Sequence, residues 1–206
     1  MIFQRNESFK TYIRFYPVTS FILALNLIVF VIDYLFLDQE WTIKGMYYLE
    51  HVFNRYGLDE PWRYVTSIAL HGGWDHILFN SFSILVFAPP LERLLGHFRY
   101  FVFYLLSGIA GNIMTTIIKA GSDYGSVGAS GAIYGLFGAY LFLAVFRKFA
   151  LDEATRKTIF FMLGFGLIYS IILPNINIWA HIGGAIAGFV MMSIYAASRR
   201  RRRNHA

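Results

Sequence analysis

Six long apolar stretches constrain the fold of this chain more than any other feature of its sequence. They cover residues 18–37, 65–88, 99–118, 128–146, 158–173 and 178–197. A bilayer core about 30 Å thick is crossed by a helix of about 20 mostly apolar residues. Only 15% of the residues are charged, against about 25% in a typical soluble domain. We therefore expect an all-α polytopic membrane protein with six transmembrane helices.

The polar segments around these stretches predict the organisation of the chain. We expect a cytoplasmic leader at residues 1–17, a six-helix membrane domain at 18–198 and a basic cytoplasmic tail at 199–206. The domain includes a long outer loop at 38–64, whose many aromatic side chains favour a position partly in the membrane interface. The chain contains no cysteine, which excludes disulfides and thiolate chemistry. We expect no cofactor and no metal site.

The basic residues are distributed unevenly between the two sides of the membrane. If the N-terminus lies inside, the outer segments hold only four of the 18 lysines and arginines, namely Lys44, Arg55, Arg63 and Lys119. The inner segments hold the rest, including Arg5, Lys148 and the run Arg199–Arg203. Basic loops are retained in the cytoplasm, so both termini are expected there. The arginine run is interpreted as an anchor on anionic lipid rather than a nucleic-acid site.

A small set of polar side chains interrupts the apolar stretches, and such groups in a membrane are functional candidates because they are costly. The set comprises Asn26, Asp33, His71, Asp75, His76, Asn80, Asn112, Ser130 and His181. Asn26, Asp33 and Asn112 are interpreted as packing or capping residues, and Asp75 as a charge favoured at a helix N-terminus. The second, fourth and sixth stretches begin on the outer side and carry polar groups near that end. We expect these groups to share a water-filled cavity that opens outward.

Ser130 and His181 supply the two groups that nucleophilic hydrolysis requires. A serine hydroxyl becomes reactive when a base within hydrogen-bond reach accepts its proton. Small residues at four-residue intervals let helices approach closely in lipid. Both stretches carry such residues, namely Gly131, Gly135 and Ala139 in the fourth and Ala180, Gly184 and Gly188 in the sixth. We expect the two helices to touch and Ser130 and His181 to form a dyad without an acidic third member.

Three further residues are candidates for supporting roles around this dyad. Tyr134 lies one turn from Ser130 on the same helix face and could buttress the imidazole. His76 and Asn80 share a helix face and offer donors for an oxyanion, as does the backbone N–H of Ser130. Structural explanations stay open for the dyad residues and for two of the supporting residues. His76 and Asn80 could clamp two helices, His181 could be a structural histidine, and Ser130 could bond its own backbone.

Three segments of the chain resemble the signature motifs of the rhomboid intramembrane serine proteases. They are Gly128-Ala129-Ser130-Gly131, His76-Ile77-Leu78-Phe79-Asn80, and the run AHIGGAIAG from Ala180 to Gly188. Trp62-Arg63 and Glu92-Arg93 resemble two further elements of that family. Ala88-Pro89-Pro90 stands where many relatives have glycines, and prolines at that point fit a helix end.

The resemblance implies a rhomboid-like six-helix bundle of the minimal bacterial form. That form and the arginine tail favour a bacterial plasma membrane, with an organellar membrane as the alternative. The resemblance also implies roles for particular residues. Ser130 would be the nucleophile and His181 the base, with Tyr134 stacked on the imidazole. The oxyanion hole would consist of His76, Asn80 and the Ser130 N–H, and Gly128 and Gly131 would support the serine.

The family resemblance implies transmembrane proteins as substrates, cut near the outer membrane face where the substrate helix is loosened. A second hypothesis is a non-catalytic relative that binds membrane helices, but such proteins usually lack the serine or the histidine. A third is a small transporter, which would need charged residues near the membrane midplane and paired broken helices. The polar cluster of this chain lies on one side, which disfavours the transporter. The sequence leaves the oligomeric state open.

Overall fold

The computed structural model describes residues 2–3, 6–147, 151–173 and 176–204, without the side chains of 201–204. Arg5 and Lys148, which entered the charge argument, lie outside the described residues, as do the side chains of Arg201, Arg202 and Arg203. The helices of the described part are α1 (Phe9–Phe15), α2 (Pro17–Phe36), α3 (Glu40–Gly45), α4 (Arg63–Thr66), α5 (Trp74–Leu95), α6 (His97–Lys119), α7 (Ser130–Phe146), α8 (Glu153–Ile172) and α9 (Ile178–Asn204). Two short strands, β1 (Tyr47–Leu49) and β2 (Tyr124–Ser126), complete it.

Helices α2, α5, α6, α8 and α9 are long and apolar enough to cross a membrane, and α7 is a shorter apolar helix. This bundle confirms the predicted all-α polytopic fold. Helix α7 lies at its centre, in contact with α5, α6, α8 and α9. Most of its residues are buried, which explains why it is apolar on every face rather than on one stripe.

Glycines at matched positions hold α7 directly against α9. A methyl group added at Gly184 would lie 1.9 Å from the carbonyl oxygen of Gly131, and one at Gly188 would lie 2.0 Å from that of Gly135. Ala180 continues the contact, since its carbonyl oxygen would be 3.5 Å from a methyl group at Gly131. The predicted contact between the fourth and sixth apolar stretches is therefore confirmed.

The second apolar stretch begins its long helix later than predicted. Residues 65–69 belong to the short helix α4 and a 3-10 turn, Ser67–Ala69, and α5 starts only at Trp74. Gly72 and Gly73 separate the two parts, and glycine disfavours a continuous helix because of its backbone entropy. His71 consequently lies in a loop rather than in a membrane span. Asp75 is in the first turn of α5, as predicted.

Pro89 and Pro90 lie inside α5 rather than at a helix end, so that expectation was wrong. The helix continues to Leu95. A proline at position 89 cannot donate to the carbonyl of Leu85, four residues earlier. The hydroxyl of Tyr12 donates to that carbonyl instead, at 3.2 Å. A partner from another helix therefore satisfies the backbone group that the proline leaves free.

Glu92 is fully buried in the last turns of α5 and forms hydrogen bonds with the first turn of α2. Its carboxylate accepts hydrogen bonds from the backbone N–H groups of Val18 and Thr19, at 3.0 and 2.9 Å, and from the Thr19 hydroxyl at 2.6 Å. His97 Nδ1 lies 2.7 Å from the same carboxylate. A negative charge is favoured at a helix N-terminus, so Glu92 acts as a cap supplied by a neighbouring helix.

Hydrogen bonds to backbone groups hold the segment between α2 and α5 in place. Strand β1 pairs antiparallel with β2, with Tyr47 opposite Ser126.

Asp33 accepts hydrogen bonds from the backbone of Trp41 and Thr42, at 2.8 and 2.9 Å, which confirms its interpretation as a capping residue. Asn112 packs as predicted too, since its amide donates to the carbonyl oxygen of Tyr64 and to the Ser67 hydroxyl. The guanidinium of Arg63 donates to the carbonyl oxygens of Ile43 and Met46, both at 3.0 Å.

Candidate active site

Ser130 is the first residue of α7 and is half-buried. Ala129 precedes the helix, and its carbonyl accepts the first helical hydrogen bond, from Ile133 at 3.0 Å. At the first position of a helix, the backbone N–H of Ser130 has no intrahelical acceptor. The end of α7 thus presents a hydroxyl and a backbone donor side by side.

The imidazole of His181 lies against the Ser130 hydroxyl. His181 is in the first turn of α9 and only 5% exposed. Its Nε2 is 2.9 Å from Ser130 Oγ, across 51 positions of sequence. The distance is within the range for a nucleophile and its base. The structure therefore brings together the two residues that the sequence singled out.

Tyr134 holds the imidazole from its flat side. The two rings are stacked, with centroids 4.0 Å apart and planes inclined by 7°. The phenol end of Tyr134 packs on α8, because a methyl group added at Gly166 would lie 2.2 Å from the Tyr134 hydroxyl oxygen. The ring of His181 is therefore confined between neighbouring helices, as expected for a residue that must present one nitrogen to Ser130.

Ser170 is a member of this cluster that the sequence analysis did not select. It lies near the end of α8, is 4% exposed, and has its Oγ 2.8 Å from His181 Nδ1. The same hydroxyl donates to the carbonyl of Gly166 at 2.6 Å. A serine in an apolar helix usually bonds the carbonyl four residues earlier, and its sequence context carries no other signal. Only the packing of α8 beside α9 reveals the second contact.

His76 and Asn80 lie beside Gly128, two residues before Ser130. A methyl group added at Gly128 would be 2.6 Å from His76 Nε2 and 3.6 Å from Asn80 Nδ2. Gly128 also has a φ of +131°, which disfavours any side chain. Asn80 is 6% exposed, and its Nδ2 has no hydrogen-bond partner in the described part of the chain. A buried amide donor left unpaired in the resting protein calls for an explanation.

His71 approaches the same region from the loop before α5. Its ring is nearly perpendicular to that of His76, with centroids 5.1 Å apart. Both of its ring nitrogens are buried, and they have the backbone of Ala69 as a polar neighbour. Burial, and then the neighbouring His76, lower the pKa of His71 to about 3. His71 is therefore a neutral side chain near physiological pH.

Among the residues that the structure describes, no group of three or more His, Asp or Glu side chains could hold a metal ion. A cavity of about 620 Å³ lies at the other end of α7 and α9, lined by Leu143, Met192 and Arg199 among others. Since α7 runs from Ser130 to Phe146, this cavity is a helix length away from the serine–histidine pair.

The fold and the site define a class of protein: a polytopic helical membrane protein with a hydrogen-bonded serine–histidine pair at the ends of two packed helices. The family model for the Rhomboid domain matches residues 58–198. The protein named "Putative rhomboid protease YdcA" from Bacillus subtilis (strain 168) is 42% identical over 205 residues, which cover 98% of this chain and all of that protein. The chain therefore belongs to the rhomboid family of intramembrane serine proteases.

Two other relatives match about two thirds of the chain. The protein named "Rhomboid protease GluP" from the same bacterium is 35% identical over 130 residues, which cover 63% of this chain and 25% of that protein. "RHOMBOID-like protein 1" from Arabidopsis thaliana is 35% identical over 138 residues, or 66% of this chain and 35% of that protein. This chain thus spans YdcA in full and about a third or less of the other two.

Proposed function

We propose that this chain is an intramembrane serine endopeptidase that cleaves transmembrane proteins near the outer face of the membrane. Ser130 is the nucleophile and His181 the general base. The observation that carries the proposal is the 2.9 Å contact between Ser130 Oγ and His181 Nε2. A serine hydroxyl is nearly inert at neutral pH unless such a base takes its proton. The buried imidazole is well suited to that task because stacking on Tyr134 restricts its rotation.

The reaction follows from this geometry as an acyl transfer in two halves. Ser130 Oγ attacks the carbonyl carbon of the scissile peptide bond while its proton moves to His181 Nε2. The tetrahedral intermediate collapses when His181 returns the proton to the leaving amine nitrogen, which leaves an ester on Ser130. A water molecule then attacks the ester with His181 again as base, and the serine is regenerated.

The negative oxygen of the tetrahedral intermediate needs donors that are in place beforehand. The N–H of Ser130 at the start of α7 is one of them, and the helix dipole adds a partial positive charge there. The unpaired Nδ2 of Asn80 is the second, which would explain why this buried donor lacks a partner at rest. His76, beside the same Gly128, is the third.

The orientation of the site follows from charge and helix length. Both termini lie in the cytoplasm in this proposal, so α5, α7 and α9 begin on the outer side, where Ser130 and His181 are found. Helix α7 has 17 residues, which makes it about 25 Å long. That is several ångströms less than the hydrocarbon thickness of about 30 Å. With Arg147 at the inner surface, Ser130 lies below the outer surface.

The substrate must lose helical structure before it can react. A peptide bond in an intact helix is shielded by side chains and its carbonyl is hydrogen-bonded, so Ser130 cannot reach it. The enzyme is therefore expected to cut transmembrane segments near their outer ends, where small or helix-breaking residues loosen the helix.

Labelling with a fluorophosphonate probe tests the proposal at the serine itself. The probe reacts with a serine hydroxyl that a neighbouring base activates, so the wild type is expected to be labelled at Ser130 only. His181→Ala should lose nearly all labelling and Ser130→Ala all of it, measured by in-gel fluorescence and peptide mass spectrometry. A folded wild-type protein that takes up no label would contradict the protease and favour the non-catalytic membrane-helix binder.

Asn80→Ala is expected to lower the rate of cleavage by about 10²–10³-fold, because one oxyanion donor typically has that effect in soluble serine proteases. Asn80→Asp keeps the shape but replaces the donor by an acceptor, and it should lose at least as much. Both rates are measured on a model transmembrane substrate, together with thermal unfolding of each variant. An Asn80→Ala protein that cleaves at the wild-type rate would remove Asn80 from the oxyanion hole.

A further inference from the structure

His181 can act as a base toward Ser130 only if the proton of its neutral ring is on the correct nitrogen. A neutral imidazole carries its proton on either Nδ1 or Nε2, and the other nitrogen is an acceptor. Only the form with the proton on Nδ1 leaves a lone pair on Nε2 to receive the proton of Ser130. The opposite form would direct an N–H at Ser130 Oγ and block general-base catalysis. The partner of Nδ1 therefore matters for the reaction.

The contacts of Ser170 select one of these two forms. A serine hydroxyl has a single proton, and a carbonyl oxygen can only accept. Ser170 Oγ lies 2.6 Å from the carbonyl oxygen of Gly166 and also contacts the hydroxyl of Tyr134. Because the tyrosine hydroxyl can donate its own proton and the carbonyl oxygen can only accept, the proton of Ser170 points to the carbonyl oxygen. What Ser170 then offers to His181 Nδ1, 2.8 Å away, is a lone pair. The proton of the imidazole must lie on Nδ1, and the lone pair of Nε2 faces Ser130 Oγ.

We propose that Ser170 is a positioning residue that holds His181 in the Nδ1–H form and fixes the rotation of its ring. The kinetic part of this inference rests on the proposed function. The contact with Ser170 restricts rotation of the imidazole within the plane of its ring. Stacking on Tyr134, with centroids 4.0 Å apart, restricts the tilt of that plane. Because Ser170 is on α8, three helices converge on one imidazole.

Ser170 keeps its own proton throughout the reaction. When the proton of Ser130 moves to Nε2, the imidazolium retains its Nδ1–H, which stays bonded to the oxygen of Ser170. A neutral hydroxyl stabilises that cation less than a carboxylate would. Ser170 thus supplies the orienting function of an acidic third member without its charge.

The test compares three substitutions at this position and reads kcat and KM separately. Ser170→Thr keeps the hydroxyl, and Ser170→Val has nearly the same shape without it. We expect Ser170→Ala and Ser170→Val to lower kcat about 10-fold, the effect of one neutral hydrogen bond, while KM stays unchanged because Ser170 does not touch substrate. Ser170→Thr should restore most of kcat. If Thr and Val have equal kcat values near that of the wild type, the proposal is wrong.

A spectroscopic readout makes the test independent of activity. In protein with ¹⁵N-labelled histidine rings, the signals of His181 are identified among those of the six histidines by their loss in His181→Ala. The wild type and Ser170→Thr are expected to show a protonated Nδ1 and an unprotonated Nε2, and Ser170→Val a mixture of the two forms. A wild-type spectrum with the proton on Nε2 would overturn the proposal, even if every Ser170 variant unfolded. Failure of the proposed function has a different signature: no cleavage and no fluorophosphonate labelling by the wild type.

Discussion

Ser130→Ala is expected to abolish cleavage of a model transmembrane substrate while the protein stays folded. The substitution removes one half-buried oxygen, and the imidazole of His181 keeps its contacts with Tyr134 and Ser170. Without the hydroxyl, no atom in this position can form the ester. In a soluble serine protease, removal of the serine lowers kcat by about 10⁶-fold, so product should fall below detection. The measurement is a gel assay on enzyme reconstituted in liposomes, with thermal unfolding of both proteins.

Two further variants sharpen this experiment. Ser193→Ala is the matched control, since Ser193 is also a serine of a membrane helix but bonds only the carbonyl oxygen of Val190 in the described part of the chain. It should cleave at the wild-type rate. The double variant Ser130→Ala/His181→Ala should lose no more activity than Ser130→Ala alone, because residues that act as a unit are not additive. Normal cleavage by a folded Ser130→Ala protein would rule out Ser130 as the nucleophile.

Gly188→Ala is expected to destabilise the protein and to slow cleavage, although Gly188 lies seven residues after His181 in α9. The added methyl group would lie 2.0 Å from the carbonyl oxygen of Gly135, 2.6 Å from its carbonyl carbon and 2.7 Å from its Cα. Backbone atoms cannot rotate away as a side chain can, so α9 must move away from α7. Overpacking of this kind typically costs about 1–3 kcal/mol of unfolding free energy. A displacement of about 1 Å between reacting groups can lower the rate about 10²-fold.

Gly164→Ala provides the control for this second substitution. It makes the same chemical change in another membrane helix, α8, where an added methyl group meets no atom within 4 Å. Its thermal unfolding and its rate of cleavage should match those of the wild type. If Gly188→Ala matched Gly164→Ala in thermal unfolding and in the rate of cleavage, the close contact between α7 and α9 would not be required for stability or activity.

The serine–histidine pair could be predicted from the sequence because two independent patterns pointed to it. Polar residues are rare in apolar stretches, so Ser130 and His181 were conspicuous. The small residues in the same stretches indicated which helices would touch. The position of Tyr134 one turn after Ser130 placed it near the imidazole, and the family resemblance implied that the two rings stack. These patterns are local, because they need only the residue type and its spacing along one helix.

Other features could not be predicted because they depend on partners that are distant in sequence. An apolar run does not distinguish the short helix α4 and its 3-10 turn from the beginning of a membrane span. The helix continues through Pro89, and Tyr12 donates to the carbonyl of Leu85 that this proline leaves free, but nothing near the prolines indicates this partner. Strands of three residues, such as β1 and β2, carry too little periodicity to be recognised.

The class of this protein can be read from its residues alone. In apolar stretches of membrane length the backbone groups find partners only within their own helix, and the motifs in these stretches identify the family. The protonation of the site, in contrast, depends on how the helices pack. Whether Nε2 of His181 can accept a proton depends on what Nδ1 touches, and that partner, Ser170, comes from a third helix. The two differ in how far apart along the sequence the interacting residues are. Helix formation is fixed by neighbours a few residues apart, whereas the direction of one imidazole proton is fixed by atoms that only packing brings within 3 Å.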